Sequence, residues 1–308
     1  MEARTRRRDP LPGNGWRKCL ARRGLLPALL LTAAGLARAD AQSAADAYFG
    51  NLEKWHYDVA ARTTTVVRDD TLVRGVYRLE DRASGRFIAM ITERGDLKGD
   101  STGWVMVGAD GPVALTPEQR QQLRVEVMHH VRLDQLVAVR YGDGGGRSLI
   151  LISAVNCPWC RVLEENLRRV EGSLRTTFYV VPGSLTPLAF GDEGRRTWQQ
   201  AADLACANDG GASWRAFWLT HATPSPRPGA CALDAAAAER RFRNFGTVLA
   251  SIGVFVKGTP ALILEDGSVL RIPAGFDADL AAEVFGPAGR PQASGTNAHE
   301  PGWLTPAR

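Results

Sequence analysis

The chain has 308 residues, 44% of them hydrophobic, a length better served by two cores than by one. Its formal charge of +5 is local: the first 39 residues hold nine Lys/Arg and two Asp/Glu, and the rest carry 29 basic against 31 acidic residues. The basic character therefore belongs to the N-terminus and is no argument for nucleic-acid binding.

Residues 1–39 read as an export signal. Arg4, Arg6, Arg7, Arg8, Arg17, Lys18, Arg22 and Arg23 form a basic head, Leu25 to Leu36 an apolar stretch, and Ala37-Arg38-Ala39 a small-residue cleavage site, with Ala39-Asp40-Ala41 as an alternative. The apolar stretch is too short to span a bilayer comfortably. Arg22-Arg23-Gly24-Leu25-Leu26 leaves a twin-arginine route open beside ordinary secretion. Cys19 would leave with the signal, and the four remaining cysteines would meet an oxidising compartment. The simplest pairing is Cys157 with Cys160 and Cys206 with Cys231. The second bridge would be structural, worth about 3.5 kcal/mol from loop closure.

Residues 43–114 read as an N-terminal α+β domain. A helix over 43–56 opens on Ser43 and spaces Ala45, Tyr48, Phe49, Leu52 and Trp55 along one face. Strand-like stretches follow at Thr63 to Arg68, Thr71 to Leu79, Arg86 to Thr92 and Gly103 to Val107. Turn signals at Asp69-Asp70, Ala83-Ser84-Gly85 and Asp110-Gly111 separate them. Thr116-Pro117-Glu118-Gln119 then opens a helix with proline in its first turn and polar caps. This linker helix, within 115–132, runs to about Val131. His129 and His130 at its end have no metal-ligand partners nearby and read as solvated residues at a helix C-terminus.

The second domain, 133–286, carries the chemistry. After the Gly142 to Arg147 turn comes an apolar strand, Ser148 to Ala154, then Cys157-Pro158-Trp159-Cys160, then a helix-patterned Arg161 to Arg169. Two thiols one helical turn apart, delivered by a strand to the start of a helix, form a dithiol/disulfide switch. Proline fits the first helical position, and the unpaired N–H groups there stabilise a thiolate on Cys157. Cys157 is expected to be the exposed attacking sulfur and Cys160, one turn deeper, the resolving one. A c-type haem site would need His where Arg161 stands, and zinc a second close pair that Cys206 and Cys231 do not make. A buried inert pair is the remaining rival. Strand 148–154 offers no Asp or Glu as a proton shuttle.

Thr176 to Val181 reads as a second buried strand, giving βαβ with a parallel pair. A helical block covers about 194–250, holding both Cys206 and Cys231 and the loop Thr223 to Gly229. Ala261 to Glu265, the Asp266-Gly267 turn and Ser268 to Ile272 form a hairpin. Asp277 to Phe285 is a last helix, and 287–308 read as a disordered tail. The order matches an α/β thioredoxin-like domain with a helical insertion. Gly258-Thr259-Pro260 stands where such folds place a cis-proline facing the two thiols, leaving the preceding backbone free to pair with an extended peptide. An ordinary trans proline at the start of a strand is the alternative.

These features together resemble the periplasmic disulfide isomerase family DsbC/DsbG. The likeness is best over 133–285; the N-terminal domain matches in position and size only. The resemblance implies Cys157 as nucleophile, Cys160 as resolving thiol, Thr259 and Pro260 as the substrate-facing pair and Cys206–Cys231 as a structural disulfide. Pro158 is similar to the DsbG branch and the second disulfide to the DsbC branch; Trp159 replaces the usual tyrosine. Trp159 is read either as an apolar contact for an unfolded client or as packed against its helix. The resemblance also implies a periplasmic V-shaped homodimer acting on unfolded or misoxidised secreted proteins and kept reduced by a membrane-bound thiol reductant of the DsbD type. No cofactor or metal is required, because the sulfurs carry the electrons. Two other activities fit the same motif: a dithiol oxidase, and a non-catalytic chaperone or assembly factor.

Overall fold

The computed structural model describes residues 41–53, 64–95, 97–100, 103–108, 111–222, 231, 233–270 and 277–285. The expected signal segment, the expected 223–229 loop and the expected tail from 287 lie outside the described residues.

The first described element is helix α1, residues 41–53. Its apolar face, Ala44, Ala45, Tyr48 and Phe49, packs on Tyr77, Leu79 and Ile91 of an antiparallel sheet. That sheet has six strands in sequence order: β1 Thr65–Arg68, β2 Val76–Asp81, β3 Phe87–Thr92, β4 Leu97–Asp100, β5 Gly103–Gly108 and β6 Gly111–Ala114. The expected strand from Thr71 starts only at Val76. Leu72 and Gly75 both adopt positive φ, 63° and 69°, and the buried Thr71 hydroxyl ties the turn by donating to Val76 O at 2.7 Å. Strand β4 was not expected, and Gly111, expected in a turn, opens β6. Gly95 makes the β3–β4 turn possible: its φ is +66°, and a Cβ there would lie 2.4 Å from the Tyr48 backbone nitrogen.

Helix α2, Pro117–His129, begins with a capping box in which the Thr116 hydroxyl accepts from Gln119 N and the Gln119 side chain accepts from Thr116 N. At its other end His129 is exposed, and His130 Nδ1 lies 2.8 Å from Glu126 O.

The second sheet runs β11-β10-β8-β9-β7. Strands β8 (Ser148–Ala154) and β9 (Thr176–Gly183) are parallel and joined through α3, Pro158–Arg169. Strand β10 (Ala261–Ile263) is antiparallel to β8 and forms a hairpin with β11 (Val269–Leu270). This is the thioredoxin-like arrangement. Strand β7, Val137–Tyr141, adds an antiparallel edge against β9 that was not expected. Strand β10 is shorter than expected, because the turn spans Leu264 to Ser268, with Leu264 N donating to Ser268 O and Asp266 accepting from Ser268; residues 271–272 of the expected second strand lie outside the described residues. Helices α4 (Asp192–Ala205), α5 (Gly210–Thr220) and α6 (Ala235–Ser251) are inserted between β9 and β10, and α7 (Ala278–Phe285) follows.

Strand β8 is buried on both faces, which explains its unbroken apolar run. Leu149 and Leu151 join the core that holds α3, α4, α5 and α7. Ile150 and Ile152 join a second core with Val181 and Phe245, and that core also takes in Val76, Trp104, Leu123 and Val127. The N-terminal sheet thus shares apolar packing with β8, β9 and α6. Polar contacts bind them further: Trp104 Nε1 donates to Ser251 Oγ at 2.5 Å, and Asn244 Nδ2 to Asp70 Oδ1 at 2.5 Å. Cys206, at the C-cap of α4, is bonded to Cys231 before α6, with Cα atoms 5.4 Å apart.

Candidate active site

Strand β8 ends at Ala154, and Val155 N still donates to Gly183 O of β9. A tight turn, Cys157 N to Ala154 O, then starts α3 with Cys157 as N-cap and Pro158 as its first residue. No side chain caps this helix start. Its open N–H groups therefore face the sulfur, with those of Trp159 and Cys160 donating to it.

Both thiols are free, so the expected Cys157–Cys160 pairing is absent here and the site is in its dithiol form. The expectation of an exposed Cys157 is corrected: the residue is 3% exposed. The residue belongs to the core cluster and also meets the segment before β10. The Thr259–Pro260 peptide bond is cis, and Cys157 Sγ donates to Thr259 O at 3.2 Å. Cys160 is 0% exposed and lies deeper. The structure thus brings Cys157, Cys160, Thr259 and Pro260 together. Trp159 stands beside them 63% exposed, so it is not packed away against its helix.

The two sulfurs differ in their electrostatics. Burial raises the Cys157 pKa, and the bond to the Thr259 carbonyl keeps its proton in place. The Thr259 hydroxyl, the backbone N–H groups of Cys160 and Trp159 and the Cys160 thiol oppose this, and together they hold it below the ordinary cysteine value. Cys160 is pushed up to about 12, chiefly by burial. The hydroxyls of Ser153 and Thr259 are buried beside the sulfurs and make no hydrogen bond to any oxygen or nitrogen. A sulfur that ionises supplies the acceptor they lack.

Two supporting residues escaped sequence reading. Asn156 accepts from Leu185 N at 2.9 Å and donates to Thr186 Oγ1 at 2.8 Å, which fixes the loop after β9 against the thiols. Glu164, one turn beyond Cys160 on α3, is buried and accepts from Tyr141 OH at 2.5 Å and Trp214 Nε1 at 2.7 Å. It ties the active-site helix to β7 and α5. Its pKa is raised, mainly by burial, although both donors oppose the shift.

No protein-family model matches the chain, and no curated protein matches it either. Among solved structures it is similar to a disulfide interchange protein from Neisseria gonorrhoeae, at 19% identity over 45% of this chain and 85% of that one, with a TM-score of 0.32. It is also similar to a linker-deletion mutant of Proteus mirabilis ScsC, at 14% identity over 55% of this chain and 83% of that one, TM-score 0.34. ScsC in a transitional conformation gives 16% identity over 54% and 78%, TM-score 0.33.

Proposed function

We propose that this protein catalyses thiol–disulfide exchange on exported proteins, isomerising or reducing non-native disulfides. The observation that supports the reading is the placement of the two thiols: Cys157 caps the start of α3 against the cis Thr259–Pro260 segment, where the helix N–H groups help hold its pKa below the ordinary value, and Cys160 lies buried beneath it. Cys157 thiolate attacks one sulfur of a client disulfide; the Cys157–client bond forms as the client S–S bond breaks, and the other client sulfur leaves as thiolate. A client thiolate then attacks the client sulfur of the mixed disulfide, forming a new client disulfide and returning Cys157: isomerisation, with no net electron transfer. Alternatively Cys160 attacks Cys157, its proton passing to the departing client thiolate. The client leaves with two electrons and Cys157–Cys160 becomes a disulfide, which a dithiol reductant must reduce before the next turnover.

The burial of Cys157 belongs to the same cycle. While protonated, the thiol occupies the Thr259 carbonyl. Ionisation removes that proton, and the carbonyl becomes an acceptor for a backbone N–H of an extended client. Trp159 offers such a client apolar contact. Periplasmic location, a homodimer and a membrane-bound reductant complete the proposal; among the described residues no helix is long and apolar enough to cross a membrane.

Refolding of a scrambled multi-disulfide protein, with the enzyme supplied reduced and its native mass measured alongside, tests the reading. Native pairing should return faster with the protein than without it, and Cys157→Ala should abolish the gain. Aggregation suppression that survives Cys157→Ala without any exchange would favour a holdase instead. Oxidation of reduced clients without reshuffling would favour a dithiol oxidase.

A further inference from the structure

Beside the exchange site lies an apolar cavity of about 310 Å³ between α6 and the catalytic sheet. The buried Ile152, Val181 and Phe245 line its inside, and the exposed Leu185 and Phe255 stand among its outer lining. Thr259 also lines it, and the carbonyl of Thr259 holds the Cys157 sulfur at 3.2 Å. The cavity and the reacting sulfur therefore adjoin through one residue.

Gly246 adds a second, independent observation. It sits inside α6, where glycine is the poorest helix former after proline. Neither backbone nor packing demands glycine there: its φ is not positive, and an added Cβ would find no heavy atom within 4 Å. Gly246 instead lines the cavity, so any larger side chain would begin to fill it. The helix carries a weak residue at the position that keeps the cavity open.

Resting on the exchange reading above, we infer that this cavity is a specificity pocket for one aromatic side chain of the client, close in sequence to the client cysteine. The volume suits it: an apolar cavity of about 150 Å³ already accepts benzene, and this one is about twice that. The pocket is apolar and adjoins the segment on which an extended client would pair. Because an extended chain advances about 3.3 Å per residue, the side chain that enters lies within two or three residues of the engaged cysteine.

The test uses the protein with Cys160→Ala and short cysteine peptides activated as mixed disulfides with thionitrobenzoate. Cys157 thiolate attacks the peptide sulfur, the peptide stays bound as a mixed disulfide, and thionitrobenzoate leaves and is read by its absorbance. Peptides carry Phe at each position within three residues of the cysteine and are compared with an all-Ala peptide. At one position Phe should raise the second-order rate by about tenfold, the scale expected for burying a phenyl ring. That gain should vanish in Gly246→Phe and persist in Gly246→Ala, whose single methyl leaves room and whose better helix propensity guards the fold. Equal rates for all peptides, or a gain that survives Gly246→Phe, would overturn the pocket alone. No adduct with any peptide would overturn the exchange reading and the pocket with it.

Discussion

Replacing Glu164 tests how the active-site helix is held. Its carboxylate is the acceptor for two donors whose residues are fully buried, Tyr141 OH at 2.5 Å and Trp214 Nε1 at 2.7 Å. Glu164→Ala leaves both donors without an acceptor at about 1–3 kcal/mol each, or about 2–6 kcal/mol together. Relief from burying a carboxylate offsets part of that. Glu164→Gln retains one acceptor oxygen but turns an amide N–H₂ toward the other donor, so it should cost about 1–3 kcal/mol. Urea unfolding measures both. The pH dependence gives a second check. Burial raises the carboxyl pKa of Glu164 in the folded protein above its ordinary 4.5. The folded state therefore binds the proton more tightly, and this contribution to stability is full below about 4.5 and is lost as pH rises through the folded value. The stability gap between the native protein and Glu164→Gln should accordingly narrow with rising pH across that window. A loss below 1 kcal/mol in Glu164→Ala would refute the anchoring role, and a gap that widens with pH would show that the two donors outweigh burial at this carboxyl.

Replacing both Cys206 and Cys231 by Ser should lower stability by about 3.5 kcal/mol, because their bridge closes a loop with a sequence separation of 25; chemical unfolding of the oxidised native protein against the double variant checks it. Ser251→Ala should cost about 1–3 kcal/mol by leaving Trp104 Nε1 buried without its acceptor. Because that bond joins the N-terminal sheet to α6, hydrogen exchange should quicken in both regions of the variant, and quickening in one alone would argue against coupling.

Much of the site was legible because its signals are local. The apolar strand, the Cys-Pro-Trp-Cys run and the amphipathic helix after it are contiguous, and Thr116 and Gln119 announce their capping box within four residues. The Asp266-Gly267 turn likewise announces its hairpin. What escaped is set by distant partners. Glu164 on a helix reads as a solvated charge, since Tyr141 and Trp214 lie 23 and 50 positions away. Cys157 reads as exposed because the carbonyl it donates to is 102 residues distant. Strand β7 does alternate buried and exposed residues, Val137 to Tyr141, but five residues next to a glycine-rich turn give a weak signal. The Thr71 to Gly75 turn hides behind a β-prone composition, because Leu72 takes a positive φ that its sequence does not advertise.

The central claim is that Cys157 ionises more readily than an ordinary thiol while Cys160 does not. The direct measurement is the pH profile of alkylation by iodoacetamide, with the modified residue identified by mass spectrometry. Burial slows the absolute rate but leaves the midpoint of the profile to ionisation alone. The account predicts modification at Cys157 with a midpoint below the ordinary cysteine value, and Cys160 silent through neutral pH. A Cys157 midpoint at or above that of free cysteine, or Cys160 reacting first, would contradict it.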